Sequence, residues 1–273
     1  MDLTQEPVSL EIGGVPVRGI SYQPPSPART GLVLCDPFAE EKKSSENTLA
    51  ALGRALAAAG FSAWHYDYRG TGDSGGDFEQ FALEEWRQDL RVVIEQTLVL
   101  AGLERVGLVG LRLGATLAAE IAPVVGAWCL VLWEPLFEGR RYVRELNQRT
   151  AIKGMLTGSP RETASSGESR VAGSERSDQE GLDLGGYLLT PALLEQLGAL
   201  RLAALPDLPA LILECNGRGQ VTARAQALVA EALQAEAQAL VLEPFWQRVG
   251  LVNTSPLITA TVQWLASLEA DYG

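Results

Sequence analysis

Histidine is almost missing: His65 is the only one in 273 residues, which removes every mechanism and every zinc site that needs two imidazoles. Cysteine is nearly as scarce. Cys35, Cys129 and Cys215 each fall inside a short apolar run that reads as a strand. An odd count at buried-looking positions excludes a disulfide framework and points to reduced thiols and a cytoplasmic setting. Bases are outnumbered, with 22 Lys plus Arg against 34 Asp plus Glu and a formal net charge of -12. Such a field repels a phosphate backbone and an anionic membrane surface alike, so nucleic acid is excluded as a partner. No apolar run approaches the ~20 residues of a membrane span. Met1-Asp2-Leu3-Thr4-Gln5-Glu6-Pro7 lacks the basic start and apolar stretch of a signal peptide. No metal site and no cofactor are expected.

What the chain does have is a globular balance, 47% hydrophobic and 21% charged, and enough length for one α/β domain with an insertion, or two small domains, to bury a core without staples. Residues 8–12 and 15–22 alternate apolar and polar around Gly13-Gly14, which predicts an opening hairpin. Strand and helix then alternate. A buried strand at 31–35 leads to a helix capped by Ser44 or Ser45, with Leu49, Leu52 and Leu56 on one face. Strand 62–68 precedes a helix carrying Trp86, Leu90, Val93 and Thr97, and strand 105–110 runs directly into an Ala-rich helix from Gly114. A further strand is expected at 127–133. Repeated βα units of this kind predict a mostly parallel sheet covered on both faces.

The pattern breaks at 157–181, where six serines accompany only three apolar residues, Ala164, Val171 and Ala172. It resumes with strand 210–215, helix 222–233, strand 239–242 and a last helix opening at Ser255-Pro256, with Leu257, Thr261, Trp264 and Leu268 on one face. We therefore read 1–273 as a single domain, with 136–205 as a cap insertion whose segment 157–181 is mobile.

Three motifs bear on chemistry. Gly70-Thr-Gly72-Asp-Ser-Gly75 matches the dinucleotide fingerprint in letters, but no helix opens inside it and the position about 20 residues on, Glu95, is helical. Gly72-Asp73-Ser74-Gly75-Gly76 satisfies Gly-x-Ser-x-Gly and the protease nucleophile pattern, yet an α/β chain with its one histidine in the preceding strand suits neither. The expected role is a tight loop with Ser74 bonded locally. The third motif is Gly107-Leu-Val-Gly110-Leu111-Arg112-Leu113-Gly114-Ala115, a strand turning straight into a helix. Glycines two positions either side of a strained apex are what a nucleophile elbow requires, because side chains there would collide with the turn. The apex residue is Arg112, which stays protonated and cannot attack a carbonyl.

On these residues the sequence resembles the α/β-hydrolase superfamily, and within it the bacterial hydrolase-like family that accompanies the exosortase (PEP-CTERM) sorting system. The matching stretches are Cys35-Asp-Pro-Phe-Ala-Glu-Glu-Lys-Lys-Ser-Ser45, Asp67-Tyr-Arg-Gly-Thr-Gly-Asp-Ser-Gly-Gly-Asp-Phe78, Gly110-Leu-Arg-Leu-Gly-Ala115, Asp183-Leu-Gly-Gly-Tyr187 and Glu243-Pro-Phe-Trp246, spread over about residues 30–265. The resemblance implies an α/β-hydrolase fold with a variable cap. Carried over by position, the catalytic set is absent. Arg112 holds the nucleophile's place, Asn216-Gly217-Arg218-Gly219-Gln220 offers no acid after its strand, and Phe245-Trp246-Gln247 stands where the histidine would follow the last strand.

What remains is a set expected at the carboxyl ends of the strands, where open α/β sheets bind ligands: Asp36, Phe38, Glu40, Glu41, Arg112, Leu113, Glu134 and Trp246, with Glu134 and Glu214 as possible acids. Arg112 at a helix N-terminus either clasps a carboxylate or phosphate or pairs with Glu134 or another of these acids. His65, between Trp64 and Tyr66, is expected to be a packed or edge histidine. Two functions follow: a non-catalytic hydrolase-like protein, a pseudoenzyme, binding a small molecule or protein in an exosortase- or polysaccharide-related pathway; or a hydrolase of ester or related bonds with an unorthodox site.

Overall fold

The computed structural model describes residues 3–157, 181–248 and 250–272. The chain opens with the expected hairpin, β1 (Thr4–Ile12) against β2 (Val15–Gln23), turning on Gly13 and Gly14 at φ 60° and 79°, values glycine adopts without strain. There follow β3 (Thr30–Cys35), α1 (Ala39–Ala58), β4 (Ser62–Tyr66), α2 (Leu83–Ala101), β5 (Arg105–Leu111), α3 (Leu113–Val125) and β6 (Leu130–Trp133). The chain then leaves the sheet through α4 (Gly139–Thr157), the short pair β7 (Leu182–Asp183) and β8 (Leu188–Leu189), and α5 (Pro191–Ala199). It returns as β9 (Ala210–Cys215), α6 (Ala223–Ala230), β10 (Ala235–Leu240) and α7 (Ser255–Tyr272). The segment 157–181, expected to be mobile, lies almost wholly outside the described residues.

Eight strands form one sheet in the order β1-β2-β4-β3-β5-β6-β9-β10, in which β2 alone opposes the others. Every residue of β3, β4, β6 and β9 is buried, as strands covered on both faces must be, which is why their sequences are near-continuous apolar runs. On one face Leu49, Leu52 and Leu56 of α1 and Leu257 and Leu265 of α7 pack with Trp133. On the other, Trp86, Leu90 and Val93 of α2 and the alanines of α3 form a second core, joined by Tyr142, Leu146, Leu189, Leu193 and Leu197 of the β6–β9 excursion. Among the described residues no helix is long and apolar enough to cross a membrane.

Four local expectations are corrected. Helix α1 starts at Ala39, well before Ser44 or Ser45. Pro37 sets the break and Glu40 and Glu41 occupy the first turn, where acids favour a helix start. Ser45 lies inside the helix, its hydroxyl donating to the Glu41 carbonyl at 2.7 Å. Helix α6 ends at Ala230, and β10 runs over Ala235–Leu240 instead of 239–242, because its ladder pairs Ala235 with Ala210 and Leu240 with Cys215. Strand β4 stops at Tyr66, two residues short, where the chain turns into the Gly70 loop.

The parallel register brings β3, β5, β6 and β9 to a common edge: Cys35 pairs with Gly110, Leu111 with Trp133, and Trp133 with Leu213. Asp36, Arg112 and Glu134 are the first residues beyond it. Over that edge α4 is seated on α5 by Gly139, whose N–H donates to the Leu200 carbonyl at 3.0 Å. A Cβ at Gly139 would lie 1.7 Å from the Leu197 oxygen, so only glycine allows this approach.

Candidate functional site

Arg112 sits at the apex of the turn from β5 to α3 with φ 54° and ψ -116°, a conformation L side chains rarely adopt. Its N–H donates to the Trp133 carbonyl at 2.9 Å, and its own carbonyl accepts from Thr116 N–H at 3.2 Å. The flanking glycines are required by contact. A Cβ at Gly114 would stand 2.1 Å from the Cys35 oxygen and 2.4 Å from the Asp36 oxygen, and one at Gly110 would stand 2.5 Å from the Ala115 backbone. The elbow geometry read from the sequence is therefore present, with a guanidinium at its tip.

That guanidinium is buried and ion-paired. Nε donates to Glu41 at 3.4 Å and Nη2 reaches both Glu145 oxygens at 3.4 and 3.5 Å. The Tyr142 and Trp246 ring centroids lie 5.3 and 5.5 Å from its central carbon. Glu41 also accepts from the Tyr142 hydroxyl at 3.0 Å and Arg149 Nη1 at 3.2 Å, while Glu145 accepts from Arg149 Nη2 at 2.7 Å and Gln247 Nε2 at 3.1 Å. Burial works against the charge of Arg112, but Glu41, Tyr142 and Glu145 outweigh it and hold the group more firmly protonated than free arginine. Burial, then the Glu41 charge, push the Tyr142 hydroxyl well above its ordinary range. Beneath this network Phe38 stacks with Phe78 and meets Trp86 and Tyr142, filling the space under the elbow with aromatic rings.

The expected cluster is divided. Glu41, Arg112 and Trp246 come together; the acids Asp36, Glu134 and Glu214 each serve another partner. Asp36 accepts from Lys42 and lies 2.6 Å from His65 Nε2, and Lys42 also bonds Asp67. Burial pushes the Asp36 carboxyl up, yet His65 and Lys42 prevail and hold it below the usual carboxylate range. His65 is thus a packed histidine on an inner strand, as expected. Glu214 accepts from the N–H and hydroxyl of Thr222 at 2.6 and 2.7 Å, fixing the entry to α6, and does not join Arg112. Glu134, at φ 48°, accepts from Cys215 N–H; of the acids expected to pair with Arg112 it is Glu41 that does, joined by Glu145, which lies outside the expected set. Burial raises the Glu134 carboxyl to about 7 against the opposing pull of the Cys215 N–H and of Arg112. Glu40 is exposed on α1.

Ser74 has the local role expected of it: its hydroxyl donates to the Asp67 carbonyl at 2.7 Å and accepts from Arg18 N–H at 2.9 Å. A Cβ at Gly72 would meet the Asp67 carboxylate at 2.1 Å, so the glycines of this loop serve packing. All three cysteines are free and buried; burial pushes the Cys215 thiol, the one beside Glu134, to about 12, so it is no thiolate nucleophile. Among the described residues no group of three or more His, Cys, Asp and Glu is placed to hold a metal ion.

Tyr142, Glu145 and Arg149 were not expected at the site. Their spacing of three and four residues puts them on one face of α4, a signal open to a helical-face reading of 139–150. Lys42 likewise lies outside the expected set, although it stands within the Cys35-to-Ser45 stretch.

No family model matches the sequence, and no curated protein matches it. Solved structures do. Est1E from Butyrivibrio proteoclasticus with ferulic acid bound superposes with a TM-score of 0.70 at 14% identity, over 96% of this chain and 99% of the other. Alpha/beta hydrolase domain-containing protein 10 from mouse gives 0.58 at 13% over 98% and 100%. A thioesterase domain from the curacin biosynthetic pathway gives 0.55 at 16% over 97% and 98%. Likeness at such identities is likeness of fold, and the chain has an α/β-hydrolase fold.

Proposed function

We propose that this hydrolase-fold protein binds a small molecule or protein partner at its elbow and does not run Ser-His-acid acyl transfer. The carrying observation is Arg112 at the strained apex, buried and ion-paired with Glu41. A protonated guanidinium has no lone pair with which to attack an acyl carbon. The turn after the last strand supports the same reading, since it lays Trp246 and not a base against the apex. His65, the only imidazole, is committed to Asp36. Residues 136–205 act as the cap of this site, a reading supported by α4, which sets Tyr142, Glu145 and Arg149 over Arg112. A cytoplasmic setting is supported by three unpaired buried thiols, and a place in an exosortase- or polysaccharide-related pathway by the resemblance carried by the Gly110-to-Ala115 stretch. The test is an ester and thioester panel with fluorophosphonate labelling of the purified chain. Neither turnover nor label is expected, and stoichiometric labelling would overturn the proposal.

One observation favours a second reading, an unorthodox hydrolase. A buried carboxyl raised to about 7 is suited to accept a proton from water near neutrality, and Glu134 is such a group beside Arg112. Turnover with an inflection near pH 7 that Glu134→Gln abolishes would establish it.

A further inference from the structure

We propose that Glu145 occupies, in the resting protein, a binding site for a monoanionic oxyanion, a carboxylate or phosphoryl group of a ligand. The inference rests on the binding reading above and names the ligand chemistry. Donors from three separate parts of the chain converge on this one carboxylate: Arg112 Nη2 from the elbow, Arg149 Nη2 from α4 at 2.7 Å and Gln247 Nε2 from the turn after the last strand at 3.1 Å. The two acids in the network are unlike. Glu41, with 3% of its side chain exposed, is the fixed counter-ion, gripped by Tyr142, Arg112 and Arg149. Glu145 is 35% exposed and reaches in from the solvent side.

Below about pH 7, where the neighbouring Glu134 holds its proton, the charges balance only while Glu145 stays: Arg112 and Arg149 face Glu41 and Glu145. With Glu145 turned outward one positive charge is left uncompensated, which is the deficit a single anionic group would fill. Arg112 is also poorly served by its present partners. Its contacts of 3.4 to 3.5 Å are longer than the ~2.7–2.9 Å of a good charge-assisted hydrogen bond. A second observation agrees: Trp246, packed on the guanidinium, buries its indole N–H with no acceptor. The neighbourhood has more donors than acceptors, and a ligand oxyanion brings acceptors.

The experiment titrates inorganic phosphate and, separately, acetate into the full chain at fixed pH and ionic strength, read by tryptophan fluorescence and melting temperature. Removing the internal occupant with Glu145→Ala is expected to tighten binding of one of the two by about tenfold or more, because the open state no longer competes with a tethered carboxylate. Arg149→Gln in that background should reverse the gain. Phosphate preferred over acetate assigns a phosphoryl ligand, and the reverse a carboxylate. Glu145→Ala binding neither anion more tightly than the parent, or binding that ignores Arg149→Gln, overturns the proposal. Should Glu145→Ala fail to fold, exposed Gln247→Ala decides in the otherwise unchanged chain: weakened anion binding supports the site and unaltered binding overturns it. Ester turnover by these same samples would overturn the non-catalytic reading and leave the anion site standing.

Discussion

The indole of Trp246 lies 5.5 Å from the guanidinium carbon of Arg112, so the turn after the last strand reaches the elbow as it must in a working triad. What arrives there is a ring that stacks on the cation and supports it. A nucleophile and base need hydrogen-bond reach between a hydroxyl and an acceptor nitrogen, and neither member is present.

Restoring the serine alone should therefore not restore an esterase. Arg112→Ser places a hydroxyl at the apex, but Phe245, Trp246 and Gln247 supply no general base to accept its proton. Turnover of activated esters should stay at the level of the parent, and Ser74→Ala should likewise change nothing, since Ser74 is bonded within its loop. Appreciable turnover by Arg112→Ser would reveal a base already in place.

Arg112→Ala should destabilise the chain by about 3 kcal/mol, the lower end of what breaking a buried ion pair costs. The loss is limited because Glu41 keeps the Tyr142 hydroxyl and Arg149. Arg112→Gly should be the milder change, since glycine adopts φ 54° without the strain that alanine retains; the strain at stake is about 1 kcal/mol or more. Chemical denaturation of the two variants gives the order directly, and an alanine variant as stable as the glycine one would contradict the strain.

How much of this was legible beforehand varies with the kind of signal. The elbow was readable because Gly110 and Gly114 are steric requirements of one short turn, and the sheet because β3, β5, β6 and β9 are apolar runs broken only by Thr30, Arg105 and Glu214 at or near their ends. Composition could not say which acid meets Arg112. Asp36, Glu41 and Glu134 all approach the same edge, and their partners depend on a lysine one turn into α1 and a helix face more than thirty residues past the elbow. The strand near 240 differs from its expected position for a related reason: Val241 and Leu242 are as apolar as a strand demands, but pairing with Ala210–Cys215 sets the register at Ala235–Leu240.

Glu134 should make the protein lose stability as pH rises. Its folded carboxyl is raised to about 7 from an ordinary value of 4.5, so between those values the folded state holds more protons than the unfolded one. The folding free energy then weakens with increasing pH over that window, by about 3 kcal/mol when complete. Glu134→Gln keeps an acceptor for Cys215 N–H and removes the titration. Measured against the parent, it should gain stability at pH 8 and show little difference at pH 4; an advantage independent of pH would refute the assignment.

Lys42 should matter in the opposite pH direction. Its ammonium joins the carboxylates of Asp36 and Asp67, and Asp36 has His65 as its other partner. Replacing it as Lys42→Met leaves Asp67 without its cation and Asp36 with one partner in place of two, at a cost of about 3 kcal/mol near neutral pH. In the parent the depressed Asp36 carboxyl contributes stability that is present above its unfolded value and lost as pH falls through its folded one. The variant has less of that stability to lose, because its Asp36 takes up a proton at a higher pH. Melting curves from pH 7 down to pH 3 should therefore converge, with the deficit of Lys42→Met greatest at pH 7. A deficit that stays constant or widens on acidification would mean that Lys42 holds α1 by packing of its stem and not by charge.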